Sequence, residues 1–212
     1  MSAKQWIARW DTEQTTEVNQ AVAAVTGKHN MHKKERRFPS SPFGFTDAGQ
    51  EDFRGVTLSE IIQYLDVQHV DLSFAKFMDG TGLNSSRFTH CRFDGMKLGG
   101  SFVTRHFNHC SFRKTNLKNA RIGERFEDCD FTGANLSHAI ARDAAFVRCN
   151  FSNVNFRGAH LMYCLFEECS FNEAIFHNGS LSGSRFVSET AALPVWDNTI
   201  MEHVKINGKP FA

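Results

Sequence analysis

The chain has 212 residues, 24 of them Lys or Arg and 23 Asp or Glu, so its formal net charge is +1 and no strong global field favours nucleic acid or a basic partner. Phe is the outlier in composition, 21 against 2 Tyr and 3 Trp. A stack of equivalent dry slots rejects Tyr, because every buried hydroxyl needs a partner. No apolar run approaches the ~18 residues of a membrane span, and residues 1–11 lack the apolar core of a secretory signal, so a soluble, cytoplasmic protein is expected.

In chain order, Val18, Ala21, Val22 and Val25 fall at i, i+3, i+4 and i+7 and mark one face of a helix. Gly27 is placed to end that helix, and Trp6 and Trp10 extend its surface upstream. A basic run occupies 28–37, with Lys28, Lys33, Lys34, Arg36 and Arg37 opposed by Glu35 alone. Such a run is read either as a solvated linker or as a contact with nucleic acid, a membrane surface or an acidic protein. Pro39, Pro42 and Gly44 then mark a loop. Thr57 to Glu60 reads as a capping box ahead of a short helix that carries Leu58, Ile61, Ile62 and Leu65. The rival reading is a degenerate coil, because Phe53, Leu58, Ile62, Val67 and Leu72 keep a beat of about five. We favour the helix, as a seal for the open end of the repeating region downstream.

From Val70 the beat becomes strict. Large apolar residues recur about every fifth position: Leu72, Phe77, Leu83, Phe88, Phe93, Leu98, Val103, Phe107, Phe112, Leu117, Ile122 and Phe126, then without a slip to Phe186. One residue is inserted between Phe77 and Leu83, and one is missing before Phe107 and before Phe126. Five is neither a helical nor a strand period. A second period near twenty appears in Cys91, Cys110, Cys129, Cys149 and Cys169, spaced 19, 19, 20 and 20 residues apart and each followed two places on by Phe. Repeats of that length point to a solenoid. Sorted by fours, the marks fall into columns: Phe88, Phe107, Phe126, Phe146, Phe166, Phe186 in one, and Leu72, Phe93, Phe112, Phe131, Phe151, Phe171 in the next. Six coils at parallel-strand spacing make a rod roughly 25–30 Å long.

The run Ala134-Asn135-Leu136-Ser137-His138, with looser copies such as Cys129-Asp130-Phe131-Thr132-Gly133, resembles the pentapeptide-repeat family, whose motif is Ala-(Asp/Asn)-Leu-x-x. The resemblance covers about 120 of the 212 residues. It implies an all-β solenoid, a right-handed quadrilateral parallel β-helix with four pentapeptides to a turn and the Leu/Phe directed to the axis. The expected organisation is a partly helical extension over 1–69, the β-helix over 70–188, and a C-terminal cap or dimerisation segment over 189–212. In that last segment Leu193, Val195, Trp196, Ile200, Met201, Val204 and Ile206 carry the apolar character.

The cysteines, Cys164 included, occupy the slot two places before a central Phe that Ala takes elsewhere, so they read as small buried spacers. His90 and His109 share one outward position, and no second pair of zinc ligands accompanies them. No phosphate loop, nucleophile elbow or zinc-protease motif is present, so neither catalysis, metal nor cofactor is expected. Attention moves to the surface. Phe102, Ile140, Met162, Tyr163 and Leu165 make an apolar patch if they point outward. Two alternatives stand: Phe102 and Ile140 replace Val103 and Ala141 inside, or the N-terminal arm covers the patch. Lys97, Arg113, Lys114, Lys118 and Arg157 lie along one side, and Glu124, Glu127, Asp128, Glu167 and Glu168 along another.

The expected function is a non-enzymatic protein-binding module that presents the faces of a rigid rod to a partner protein. The resemblance supplies an alternative, a DNA mimic that binds DNA gyrase and confers quinolone resistance; such family members resemble acidic rods, commonly dimers. Here the repeats are slightly basic and lack projecting loops, and the tail over 191–212 is the feature that suits a homodimer. A second alternative is nucleic-acid contact through 28–37.

Overall fold

Equivalent residues of successive coils lie directly over one another. Phe107 pairs in parallel register with Phe126, Phe126 with Phe146, Phe146 with Phe166, and Phe166 with Phe186. The computed structural model that shows this describes residues 1–27, 29, 36–78, 82–189 and 194–211. It is a four-sided parallel β-solenoid of about seven turns. Face 1 carries Phe53, Leu72, Phe93, Phe112, Phe131, Phe151 and Phe171. Face 2 carries Leu58, Phe77, Leu98, Leu117, Leu136, Phe156 and Phe176. Face 3 carries Ile62, Leu83, Val103, Ile122, Ala141, Leu161 and Leu181, and face 4 Val67, Phe88, Phe107, Phe126, Phe146, Phe166 and Phe186. All are buried except Phe77, which is half-buried beside the insertion. Residues 79–81 of that insertion lie outside the described residues.

The core is two ring stacks set edge to face. On face 4, Phe107 and Phe126 stack with centroids 4.9 Å apart and planes 3° off parallel; on face 1, Phe112 and Phe131 do so at 4.8 Å and 4°. Between the stacks Phe88 meets Phe93 at 86° and Phe146 meets Phe151 at 78°. Each ring therefore gains an offset-stacked neighbour above and below and an edge-to-face neighbour beside it, the two geometries aromatic quadrupoles prefer. The Cys91, Cys110, Cys129, Cys149 and Cys169 column fills the gap at the face 4–face 1 corner, all free and buried. Their thiols lie close to backbone carbonyls, Cys129 to that of Glu127 at 3.2 Å. Burial pushes Cys91, Cys129 and Cys164 up, Cys164 to about 12, which suits neutral packing groups.

Corners close by left-handed backbone. His90, Lys114, His138 and Tyr163 have φ of 54, 55, 55 and 57°. Each such L-residue costs roughly 1 kcal/mol or more, which explains why Gly, Asn, Asp and His gather at corners. The Asp/Asn before the central residue serves the same turn. Asp130, Asn135 and Asn155 each accept the backbone N–H two places on, at 2.9, 3.0 and 3.1 Å. They satisfy a donor that the turn directs away from the coil. Where one residue is missing, the strands Phe102–Asn108 and Arg121–Glu127 run seven residues through the face 3–face 4 corner. The register against the preceding strand, Leu83–Thr89, slips between Leu83 and Ser86 to absorb the difference.

The helix expected at 57–65 is absent. Thr57–Leu58 and Ile62–Gln63 are strands that pair with Lys76–Phe77 and with Leu83 and Asn84. The degenerate coil is the reading that holds: Phe53, Leu58, Ile62 and Val67 are each 0% exposed, and Glu51–Asp52 pairs with Val70–Asp71, so the solenoid begins near residue 51 instead of 70. Packing against the next coil outweighed a capping pattern that had no helix face to bury.

The seal lies upstream, in helices α1 (Ala3–Ala8) and α2 (Thr12–Val25). Val18 and Val22 are buried in the core, and Trp10 stacks on Phe53 with planes 16° apart. The first coil has no coil beneath it, and side chains of the arm stand in for the missing backbone partners. Asn19 donates to the Thr57 carbonyl and accepts from Ser59 N–H, Thr26 donates to the Ile61 carbonyl and accepts from Gln63 N–H, and Trp10 donates to the Arg54 carbonyl. This answers the open-edge problem of any sheet. Asp52 is the anchor: Arg9 grips its carboxylate at 2.9 and 2.7 Å, and Arg54 grips it at 2.8 and 2.7 Å. Arg54 in turn lies 3.6 Å from the Trp6 ring centre, a cation–π contact. Burial pushes Asp52 up, yet the hydrogen bonds from Arg54 and Arg9 outweigh it and hold the carboxyl well below its ordinary range.

The tail also departs from the cap expected over 189–212. Trp196 pairs with Phe176, Ile200 with Ser180, and Ile206 with Phe186, so the beat of five continues into a partial eighth turn. A short antiparallel hairpin, Ile206 against Lys209, ends it. Residues 190–193, including Leu193, lie outside the described residues.

The ring stack and the Asp52 clamp each have a measurable consequence. Phe131→Ala leaves a void between rings held at 4.8 and 5.0 Å and lowers unfolding free energy by ~3–5 kcal/mol; an unchanged denaturation midpoint contradicts the stack. Because the Asp52 value is depressed, its stabilisation is present above ~pH 4 and lost as pH falls through and below that range. Asp52→Asn therefore costs about 3 kcal/mol near neutral pH, somewhat less near pH ~3 and least near pH ~2, read from urea unfolding at each.

Candidate interaction faces

With the interior occupied by Phe, Leu and small spacers, chemistry is left to outward positions. On face 2 and its edge with face 1 the outward ladders carry Lys76, Lys97, Lys114, Lys118 and Arg157, all exposed. Asn116, Asn135 and Asn155 lie between them in register. Among the described residues no carboxylate lies on these ladders between Lys76 and Arg157, and none of these five cations is in an ion pair. Beyond Arg157 the same face carries Ile175 at 43% and Val195 at 81% exposure, beside the paired His177 and Asp197 at 2.8 Å. Face 2 is therefore a flat basic strip with an apolar end.

Face 4, on the opposite side, differs. Glu124, Glu127, Asp128, Glu167 and Glu168 lie on it and on its two edges. Several of its charges are compensated on the spot: Arg125 pairs with Glu127 at 2.5 Å and Arg148 with Asp128 at 2.7 Å. The hydrogen bond from Arg148 holds Asp128 below the usual carboxylate range. At the edge with face 1, His69, His90 and His109 form a ladder of parallel rings 5.0 and 4.9 Å apart. His109 faces Asp128 at 3.9 Å, and the rings present faces to one another instead of converging lone pairs. Among the described residues no group of three or more His, Cys, Asp or Glu is placed to hold a metal ion.

The apolar patch does not assemble as one surface. Val103 and Ala141 are inside at 1% and 0%, so Phe102 and Ile140 are outward at 46% and 44%. They are separated on face 3 by Arg121, whose guanidinium lies 5.2 Å from the Phe102 ring. Met162 is half-buried on the same face, Leu165 is half-buried on face 4, and Tyr163 stands on the corner between them at 53% exposure. The Tyr163 ring lies against Gly183 of the next coil and takes the Arg142 guanidinium at 5.1 Å. Of the basic run, Lys28, Lys33 and Lys34 fall outside the described residues; Arg37 is exposed, and Arg36 is half-buried against coils zero to two. The apolar end of face 2 escaped sequence reasoning. Its signal was the continued beat Trp196, Met201, Ile206, which turns Val195 and Ile200 outward.

Residues 124–192 match the family model described as a pentapeptide repeat region. No curated protein matches the chain. Among solved structures, a trypsin-treated form of QnrB1, a plasmid-mediated fluoroquinolone resistance protein, is similar over 73% of this chain and 78% of its own, at 15% identity and a TM-score of 0.52. HetL of Nostoc sp. strain PCC 7120, involved in heterocyst differentiation regulation, covers 70% of this chain and 86% of its own at 18% identity and a TM-score of 0.27. Rfr23 of Cyanothece 51142, a pentapeptide repeat protein, covers 71% and 90% at 12% identity and 0.34. At 15% identity the likeness to QnrB1 is one of fold, and the chain is a right-handed quadrilateral β-helix.

Gly183 has φ 72°, and a Cβ there meets the Tyr163 ring. Gly183→Ala is expected to cost ~2 kcal/mol, and Tyr163→Ala in the same chain to restore about half, leaving the ~1 kcal/mol backbone penalty. Melting curves of the two single variants and the double variant check it.

Proposed function

We propose that this chain, a pentapeptide-repeat protein, is a non-enzymatic binding module whose contact surface is face 2. The observation that carries this reading is the uncompensated charge of that face. Five cations stand on a rigid, nearly flat ladder with no carboxylate among the described residues between Lys76 and Arg157, while face 4 pairs several of its own charges. Unpaired cations spaced along a rigid backbone ladder steer an acidic partner. The exposed Ile175 and Val195 at the strip's end favour a protein surface, since an apolar anchor beside a charged rim is the usual anatomy of a protein contact.

The DNA-mimic reading draws on the family resemblance and on the name of one structural neighbour. It has less support here, because a mimic presents uncompensated negative charge and Glu127 and Asp128 are each paired with Arg. Nucleic-acid contact through 28–37 rests on residues mostly outside the described ones. The homodimer expected through 191–212 is not required, because Trp196 and Ile206 are engaged with the coil before them.

Affinity capture from the native host separates these readings. The combined variant Lys97→Glu, Lys118→Glu, Arg157→Glu is expected to lose its partner protein with melting unchanged, and Glu124→Lys with Glu167→Lys to keep it. Loss with the face 4 variant and retention with the face 2 variant contradicts the proposal.

A further inference from the structure

The missing residue before Phe107 leaves a mark on the outside. Coils zero and one turn the face 3–face 4 corner with five residues between marks, Ile62 to Val67 and Leu83 to Phe88, whereas coil two uses four, Val103 to Phe107. The register slip between Leu83 and Ser86 opens a recess of about 230 Å³ at that corner, lined by Arg36, Tyr64, Asp66, Ser85, Arg87 and Arg105. Three arginines thus line it from three parts of the chain, the arm and two successive coils. Among the described residues a single carboxylate lines the recess with them, Asp66, which reaches Arg87 at 3.6 Å with both side chains about half exposed.

Two details show demand for an anion. Arg36 Nη1 is buried without a hydrogen-bond partner among the described residues. A cationic donor removed from water is costly unless an acceptor replaces the water. Arg105 has φ 100°, outside the narrow left-handed basin that the other corner residues occupy. Its register partner in the next coil is Glu124, yet no ion pair joins them. A strained backbone that holds an arginine at the mouth of a recess, unpaired with the carboxylate beside it, is the kind of outlier from which function is inferred.

We propose that this recess is an oxyanion site that takes a phosphate group. Guanidinium forks bind carboxylate and phosphate alike, but three cations approaching from different directions suit a tetrahedral dianion better than a planar monoanion. The volume is below the ~300–1,000 Å³ of drug-sized pockets, so the group itself is recognised, either as free phosphate or at the end of a larger molecule. The inference goes beyond the face 2 reading and stands without it, because the recess lies on the far corner.

The test is calorimetric titration of the full chain with inorganic phosphate and, separately, with O-phosphoserine, against chloride at matched ionic strength. Saturable one-to-one binding of either phosphate probe is expected, weakened at least tenfold in Arg87→Gln and in Arg105→Gln. Arg113→Gln, which removes one positive charge elsewhere, is expected to leave it unchanged. Binding of phosphoserine without inorganic phosphate supports a site for a phosphorylated chain, and binding of inorganic phosphate supports a site for the free ion. Heats equal to those of chloride, or equal loss in all three variants, overturn the proposal. The two recess variants change exposed side chains, so their melting curves are expected to match the parent chain.

Discussion

A parallel coil placed in register on its neighbour puts like over like, and every other property of this protein depends on that constraint. A ring at one height demands a ring of the same size at the next, about 4.8–5.2 Å away, as Phe107, Phe126 and Phe146 show. A small residue beside one ring demands a small residue beside the next, which is why Cys91, Cys110 and Cys129 recur. The outward side chains inherit the same rule. Histidines become a ladder of stacked rings, asparagines a ladder of turn-formers, and lysines a strip. Charge that would be diffuse on an irregular surface is sorted by face.

A structure built from repeated coils is vulnerable only at its ends and at its irregularities, and the chain spends its non-repeating residues there. At the first coil, Asn19, Thr26 and Trp10 imitate the hydrogen bonds of an absent neighbour, and the doubly clamped Asp52 fixes the arm that carries them. At the last, the backbone reverses on itself as an antiparallel pair. In between, the first of two deleted residues is absorbed by a slip at the face 3–face 4 corner, and the recess with three arginines lies at that slip.

The interior was legible from sequence because the beat of five and the identity of rings every fourth mark are direct images of the packing. Phe88, Phe93, Phe107, Phe112 and their successors sit where the columns put them. The ends were less legible for a physical reason. In coil zero, Val67 stands where face 4 otherwise carries Phe and the step from Leu58 to Ile62 is four, so the pattern weakens to one that a short amphipathic helix also satisfies, and only pairing with the next coil decides between them. The tail keeps its beat in Trp196, Met201 and Ile206, but a gap after Phe186 hides the phase. Outward groupings were the hardest to read. Phe102 and Ile140 occupy equivalent positions two coils apart, and the intervening Arg121 divides them, a fact that only register reveals. Sequence located Lys97, Lys114, Lys118 and Arg157 on one side but missed Lys76 and included Arg113, which stands on face 1 paired with Asp130; the lack of partners on face 2 required the structure.

The central claim is that stability resides in the ring columns and falls toward both ends, with the N-terminal arm acting as a seal and not as a core. Residue-resolved native-state hydrogen exchange tests it most directly. The account predicts that amides of Phe112, Phe131 and Phe151 exchange only through global unfolding, with protection declining toward Gln63 at one end and Lys205 at the other. Protection that is highest in the arm, or uniform along the chain, would contradict it.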